Sequence, residues 1–224
     1  MPAKNRIKEY SNNSYYHLFN RGLDGREIFK DDDDMNMFER ILANYLEKDT
    51  HGYLKTTIAK RREIMYLGSE MKVLAYCLMP DHFHLLIWQG QKDGVTKLMR
   101  RVNTAYVMYF NKKYNRRGTL FENIYRAIKI LGRGEELNLR LLHLTRLIHL
   151  NPVTKTERRI GPVVTVTGSR PEDYTHSSYT HYIGINRRNW VHMLDTVKNP
   201  EEYRQFVEQP QKEGLEILKG LLLD

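Results

Sequence analysis

Two histidines one residue apart, His82 and His84, lie in the apolar run HFHLLIW. Side chains alternate along a strand, so both imidazoles project from one face roughly 6.5 to 7 Å apart, at ~3.3 Å of rise per residue. Such a pair can hold a divalent ion if a third donor comes from another element, leaving the remaining positions to water or a phosphate oxygen. A strand that merely displays two histidines has the same spacing, so the pair alone leaves both readings open. The third donor is sought in LLHLTRLIHLNPV, a helical pattern ended by Pro152. Positions four apart share a stripe, which groups His143, Leu147 and Asn151 and points His149 elsewhere. The Asn151 amide oxygen could reach an ion; the same residue could equally cap the helix ahead of Pro152.

The elements that must position these residues follow from periodicity. SYYHLFNRG (residues 14–22) reads as a first strand closed by a glycine turn. The acidic run Asp31 to Asp34 precedes Met35, Phe38, Ile41, Leu42 and Tyr45 at helical spacing, where negative charge suits a helix N-terminus. Residues 51–71 are polar and mixed, a connection with room for a short helix. KVLAYCLM and HFHLLIW, joined by Pro80 and Asp81, form a hairpin. Phe83 and Leu85 then face a helix-covered side and the histidines the open one. Val95, Leu98, Val102, Tyr106, Tyr109 and Phe110 mark a second amphipathic helix. FENIYRAIKIL reads as a last strand and residues 135–150 as a third helix. The order strand, helix, hairpin, helix, strand, helix predicts an α+β fold, a ferredoxin-like antiparallel sheet with helices on one face. Residues 1–160 form that domain, and residues 161–224 a C-terminal extension with short helices.

Composition narrows the function. The chain has 224 residues, 28% charged and 41% hydrophobic, with 36 Lys and Arg against 27 Asp and Glu, a net charge of +9. That length buries a real core, and no run approaches the roughly 18 apolar residues of a membrane span. The charged start without an apolar stretch, and one cysteine, Cys77, predict a cytoplasmic protein without a secretory signal or an internal disulfide. Excess positive charge favours a polyanion. Fifteen tyrosines, interleaved with basic residues in KKYNRR and IYRAIK, favour nucleic acid with unpaired bases. Arg21, Lys112, Lys113, Arg116, Arg117, Arg126 and Lys129 are the candidate phosphate contacts, and Tyr114 a candidate stacking platform.

The ordered set YHLFNRG, MPDHFHLLI, YVMYFNKKYNRRGTLF, YRAIKI, RLIHLNPV and SSYTHYIG closely resembles the REP-associated tyrosine transposases of the HUH single-tyrosine superfamily, over roughly residues 10–184. The resemblance implies a domain that recognises hairpin-forming single-stranded DNA, binds Mg²⁺ or Mn²⁺, and cuts by transesterification through a tyrosine. It implies that His82, His84 and Asn151 are the metal ligands. It also exposes a departure: Leu147 stands where the family's nucleophilic tyrosine is expected, and leucine has no oxygen to attack phosphorus.

Three readings of the enzyme follow. In one, hairpin DNA binding survives without cleavage. In another, a different tyrosine substitutes, with Tyr125 of IYRAIK the nearest choice. In the third, metal-activated water hydrolyses the phosphodiester with His143 as base. An RNA-binding module shares the strand order, but no RNP1-like aromatic pattern falls on the predicted strands. A homodimer rests on analogy with the wider superfamily alone.

Overall fold

The computed structural model describes residues 10–48, 66–153 and 170–209. Strands β1 (Ser14–Arg21), β2 (Met71–Met79), β3 (His82–Gln89) and β4 (Arg126–Ile130) form one antiparallel sheet in the order β2-β3-β1-β4. Three long helices alternate with them: α1 (Asp32–Leu46), α2 (Gly94–Lys113) and α3 (Gly134–Leu150). The ferredoxin-like α+β sheet is the one the sequence pattern predicts, but its helices lie on both faces and not on one: α1 and α2 pack on one side and α3 on the side that carries the histidines, which the pattern leaves open. The region read as a connection, residues 51–71, lies largely outside the described residues, as does the 160/161 domain boundary.

Local chemistry explains the boundaries. Asp31 caps α1, its carboxylate accepting from the Asp34 N–H at 3.0 Å, as the acidic run predicts. Gly22 closes β1 because a Cβ there would run into the Arg26 carbonyl. Pro80 and Asp81 turn the β2–β3 hairpin, whose register sets Cys77 opposite His84 and Met79 opposite His82. The last strand is shorter than FENIYRAIKIL suggests. Residues 123 and 124 are held as a loop, because Asn20 donates its amide to both of their carbonyls at 3.0 Å and Asn103 donates to that of Ile124 at 2.8 Å.

Alternation divides the sheet into two chemically different faces. Leu18, Phe83, Leu85 and Ile87 pack with Phe38 and Leu42 of α1 and Val102 and Tyr106 of α2. Ala75, Cys77, Met79 and Leu86 point the other way, against Leu141, Leu144 and Ile148 of α3. The histidine face is thus covered at its centre by α3 and left accessible toward its ends. Complete burial of Leu86, Leu144 and Ile148 contributes roughly 1.5–3 kcal/mol each, so α3 is firmly seated over that face.

Residues 170–209 pack into the same fold. His176–Ser178 and Val191–His192 hydrogen-bond along the outer edge of β2, with Leu78 N–H donating to the His176 carbonyl at 3.0 Å and His192 N–H to that of Val73 at 2.8 Å. These segments pair an edge that would otherwise present unpaired backbone groups. The short helix α4 (Tyr179–Tyr182) and helix α5 (Pro200–Glu208) bury Tyr179, Tyr182, Tyr203 and Val207 in the main core.

Candidate nucleic-acid and metal site

His82 and His84 share a face of β3 as predicted, with ring centroids 5.1 Å apart and planes nearly perpendicular. Each ring is held at Nδ1. His82 Nδ1 lies 2.7 Å from the Asp81 carboxylate, and His84 Nδ1 lies 2.9 Å from Nε2 of His17. Because the engaged nitrogen is Nδ1 in both rings, ligation falls to Nε2 in both. An acceptor behind each imidazole is the outer-shell arrangement that fixes ring and tautomer in metal sites. Burial, then the neighbouring His17 and His82, holds the His84 pKa well below its ordinary value. Burial alone lowers that of His17 to about 4. His84 and His17 are therefore neutral at pH 7, and the neutral imidazole is the form that ligates a metal.

His17 is the residue that motif reading missed. It stands within YHLFNRG, opposite Leu86 in the β1–β3 register, so it emerges on the histidine face and stacks on His84 with centroids 5.1 Å apart. The available signal was the alternation of β1 combined with antiparallel pairing. His17 Nδ1 is buried without a hydrogen-bond partner among the described residues. Such an atom in a close-packed interior costs about 1–3 kcal/mol.

No group of three His, Cys, Asp or Glu side chains among the described residues could by itself enclose a metal. Asn151, the predicted third donor, would add an amide oxygen from the end of α3. Asn151 follows the last turn of α3, its amide nitrogen donating to the Leu147 carbonyl at 3.2 Å. It therefore serves as a helix cap, while its side-chain oxygen retains acceptor capacity. Leu147 packs half-buried against the Leu86–Ile148 cluster. His143 is buried, its ring edge-on to Phe206 of α5 at 5.3 Å.

Tyr125 is not brought to the histidines. It sits in the opposite core with Tyr16 and Leu18, accepting from the Tyr10 hydroxyl at 2.9 Å. The reason is alternation: Arg126, the next residue, pairs with Phe19 on the histidine face, so its predecessor turns away.

The basic candidates separate in the same way. Arg21 and Arg126 emerge on the histidine face, opposite His82 and beside Phe19; Arg21 pairs with Glu122, and the Arg126 guanidinium lies 5.9 Å from the Phe19 ring. Lys129 projects from the other side of β4 and donates to the Ser11 hydroxyl at 2.8 Å. Lys112 and Arg117 are exposed, and Arg116 lies over the Phe110 ring at 5.6 Å.

Lys113 and Tyr114, expected at the nucleic-acid surface, instead close a network around the start of α1. Lys113 donates to Asp31 at 2.7 Å and to the fully buried Asp34 at 2.8 Å, and Tyr114 donates to Asp34 at 2.8 Å. Burial acts against the Lys113 charge, yet the two carboxylates raise its pKa overall. The Tyr114 hydroxyl is pushed up to about 12 by burial and by Asp34. Its ring is flanked by Lys30 at 4.4 Å and Phe110 at 4.6 Å, which removes it as a stacking platform.

The sheet order and the two helical layers define the chain's class by fold. It is similar to the solved structure of a REP-associated tyrosine transposase bound to a REP hairpin, with a TM-score of 0.52 over 86% of this chain and 99% of that one, at 9% identity. In sequence, residues 43–139 match the family model "Transposase IS200 like". The matched segment contains His82 and His84 and ends before Leu147 and Asn151. A structure assigned to a transposase of Deinococcus radiodurans R1 is more distant, with 18% identity and a TM-score of 0.34 over 62% of this chain and 93% of that one. No curated protein matches the chain in sequence. Among the described residues no helix is long and apolar enough to cross a membrane.

Proposed function

We propose that the chain binds hairpin-forming single-stranded DNA at a divalent-metal site built on His82 and His84, without forming a covalent protein–DNA intermediate. The observation that carries this reading is the pair of imidazoles His82 and His84, each anchored at Nδ1, on the sheet face against which α3 packs Leu147. Of the Mg²⁺ or Mn²⁺ implied by the resemblance, two imidazole nitrogens favour Mn²⁺, with the amide and phosphate oxygens completing the shell. Bound there, the ion would polarise a phosphodiester and offset its charge.

The chain's own residues supply the rest. Asp81 and His17 orient the two rings, Asn151 provides the third donor, and Arg21 and Arg126 hold phosphates on the same face. Leu147 fills the expected nucleophile position with hydrocarbon, and Tyr125 lies in the other core. DNA binding with cleavage lost or altered is therefore favoured over an active transposase.

The test is incubation of the full chain with a labelled hairpin oligonucleotide and Mn²⁺. The expected result is metal-dependent binding with no covalent adduct in the native chain, and an adduct gained in Leu147→Tyr. An adduct in the native chain overturns the reading. A free nick shifts it to water as nucleophile, and tighter binding of RNA of matched structure shifts it to an RNA-binding module.

A further inference from the structure

At the other end of the histidine face lies a cavity of about 620 Å³ that none of the candidate residues above touches. Its floor is Tyr15 of β1, Lys72 of β2 and Trp88 of β3, and its wall is the segment from Arg187 to Asp195. Trp88 is on the same side of β3 as His82, about 20 Å along the strand at ~3.3 Å per residue. The volume is within the roughly 300–1,000 Å³ of small-ligand sites.

Both aromatic side chains are half-buried, so part of each ring borders the cavity. The Lys72 ammonium stands 5.4 Å from the Trp88 ring centroid. Among the described residues neither Lys72 nor Arg187 pairs with a carboxylate, whereas Arg188 is already committed to Glu39 at 3.2 Å and to the Thr175 carbonyl at 2.7 Å. Asp195 is the single acid in the lining. The surplus charge is felt locally: burial first, then Arg188, Arg187 and His192, lower the pKa of His181, and burial followed by Lys72 lowers that of His192. An anion would relieve this repulsion, and an aromatic ring beside uncompensated cations is the combination that binds unpaired nucleotides.

We propose that this cavity is a second DNA-binding site, accepting one unpaired nucleotide with its base against Trp88 and its phosphate between Lys72 and Arg187. The ligand class rests on the DNA reading above; the site itself does not depend on the histidines or on metal. It gives the segment after residue 170 a role beyond covering the edge of β2.

The chain has two tryptophans. Trp190 is 5% exposed and packs on Tyr76 at 4.9 Å, so Trp88 is the one placed to report a ligand. The full chain is titrated with a short oligothymidine in EDTA, following tryptophan emission and, separately, the anisotropy of a labelled oligomer. Saturable quenching is expected, lost in Trp88→Phe and unchanged in His84→Ala. The double substitution Lys72→Gln with Arg187→Gln should weaken binding at least tenfold at low salt and flatten the log–log salt dependence by about 0.7 for each phosphate no longer neutralised. Binding unaffected in both the Trp88 and the double variant overturns the site, as does quenching that disappears in His84→Ala. Oligouridine outcompeting oligothymidine overturns the assignment to DNA. If hairpin DNA fails to bind at the histidines while oligothymidine still quenches, the functional reading falls and the cavity stands.

Discussion

Histidine is buried in opposite ways at two places in this molecule. At the seam between α3 and the C-terminal segment, His149 is fully enclosed and both ring nitrogens are satisfied, Nδ1 by the Tyr203 hydroxyl and Nε2 by the Ser178 hydroxyl, each at 2.7 Å. At the end of the sheet, His17 and His84 are tied to each other and His17 keeps a buried nitrogen without a partner among the described residues. The first arrangement holds two segments together with nothing left over. The second leaves a buried polar atom unsatisfied beside a neighbouring imidazole, which a core avoids and a functional site tolerates.

The sharpest way to break this comparison is to remove each histidine and ask what changes. His149→Ala takes one partner from each of the Tyr203 and Ser178 hydroxyls, which keep Thr145 and the Tyr76 backbone, and opens a cavity at a fully buried position, so unfolding free energy should drop by roughly 3 kcal/mol. Hairpin affinity of the folded fraction should be unchanged. Chemical denaturation and binding anisotropy on the same sample check both halves, and a stable variant with impaired DNA binding would reverse the assignment. His17→Phe should do the opposite. It preserves the ring packing beside Phe19 and eliminates the orphaned nitrogen, so stability holds, while removal of the hydrogen bond to His84 should weaken Mn²⁺ binding about 10–100-fold. Calorimetric Mn²⁺ titration reads this directly, and unchanged Mn²⁺ affinity counts against a metal site at these residues.

Acid sharpens the contrast further. Burial holds His149 at about 3 in the folded chain, below its ordinary 6.5, and the charge of His181 adds to the effect. The unfolded chain thus takes the proton first. The stabilisation is complete above pH 6.5 and is lost progressively as pH falls from there toward 3. By pH 5.5 this one residue should cost about 1.4 kcal/mol. Native stability should decline more steeply between pH 7 and 5.5 than that of His149→Gln, and parallel declines would remove His149 from the account.

Much of this was legible from the chain itself. Periodicity of 2 and 3.6 located every strand and long helix of the sheet domain, because the two faces of the sheet are buried by different helices and the pattern had to serve both. The His82/His84 pairing followed from alternation alone. His17 did not, since its importance arises only when β1 is set antiparallel to β3. Lys113 and Tyr114 misled for a related reason: a basic, aromatic helix end looks the same whether it meets phosphate or the carboxylates of another helix. What distinguishes the two is the partner brought from 80 positions away in Asp34.

That distinction yields the smallest effect and the most selective one. Arg126, on the histidine face, and Lys113, on the α1 network, carry the same formal charge and were indistinguishable as phosphate contacts in sequence. If the face decides, Arg126→Gln should reduce the salt slope of hairpin binding by about 1 with little change in stability. Lys113→Gln should leave the slope intact, because its charge is already neutralised by Asp31 and Asp34, and should destabilise the fold by leaving the buried Asp34 carboxylate without its counter-charge. Equal changes in slope from the two substitutions would mean that DNA tracks overall charge, and that the histidine face has no privileged contact with it.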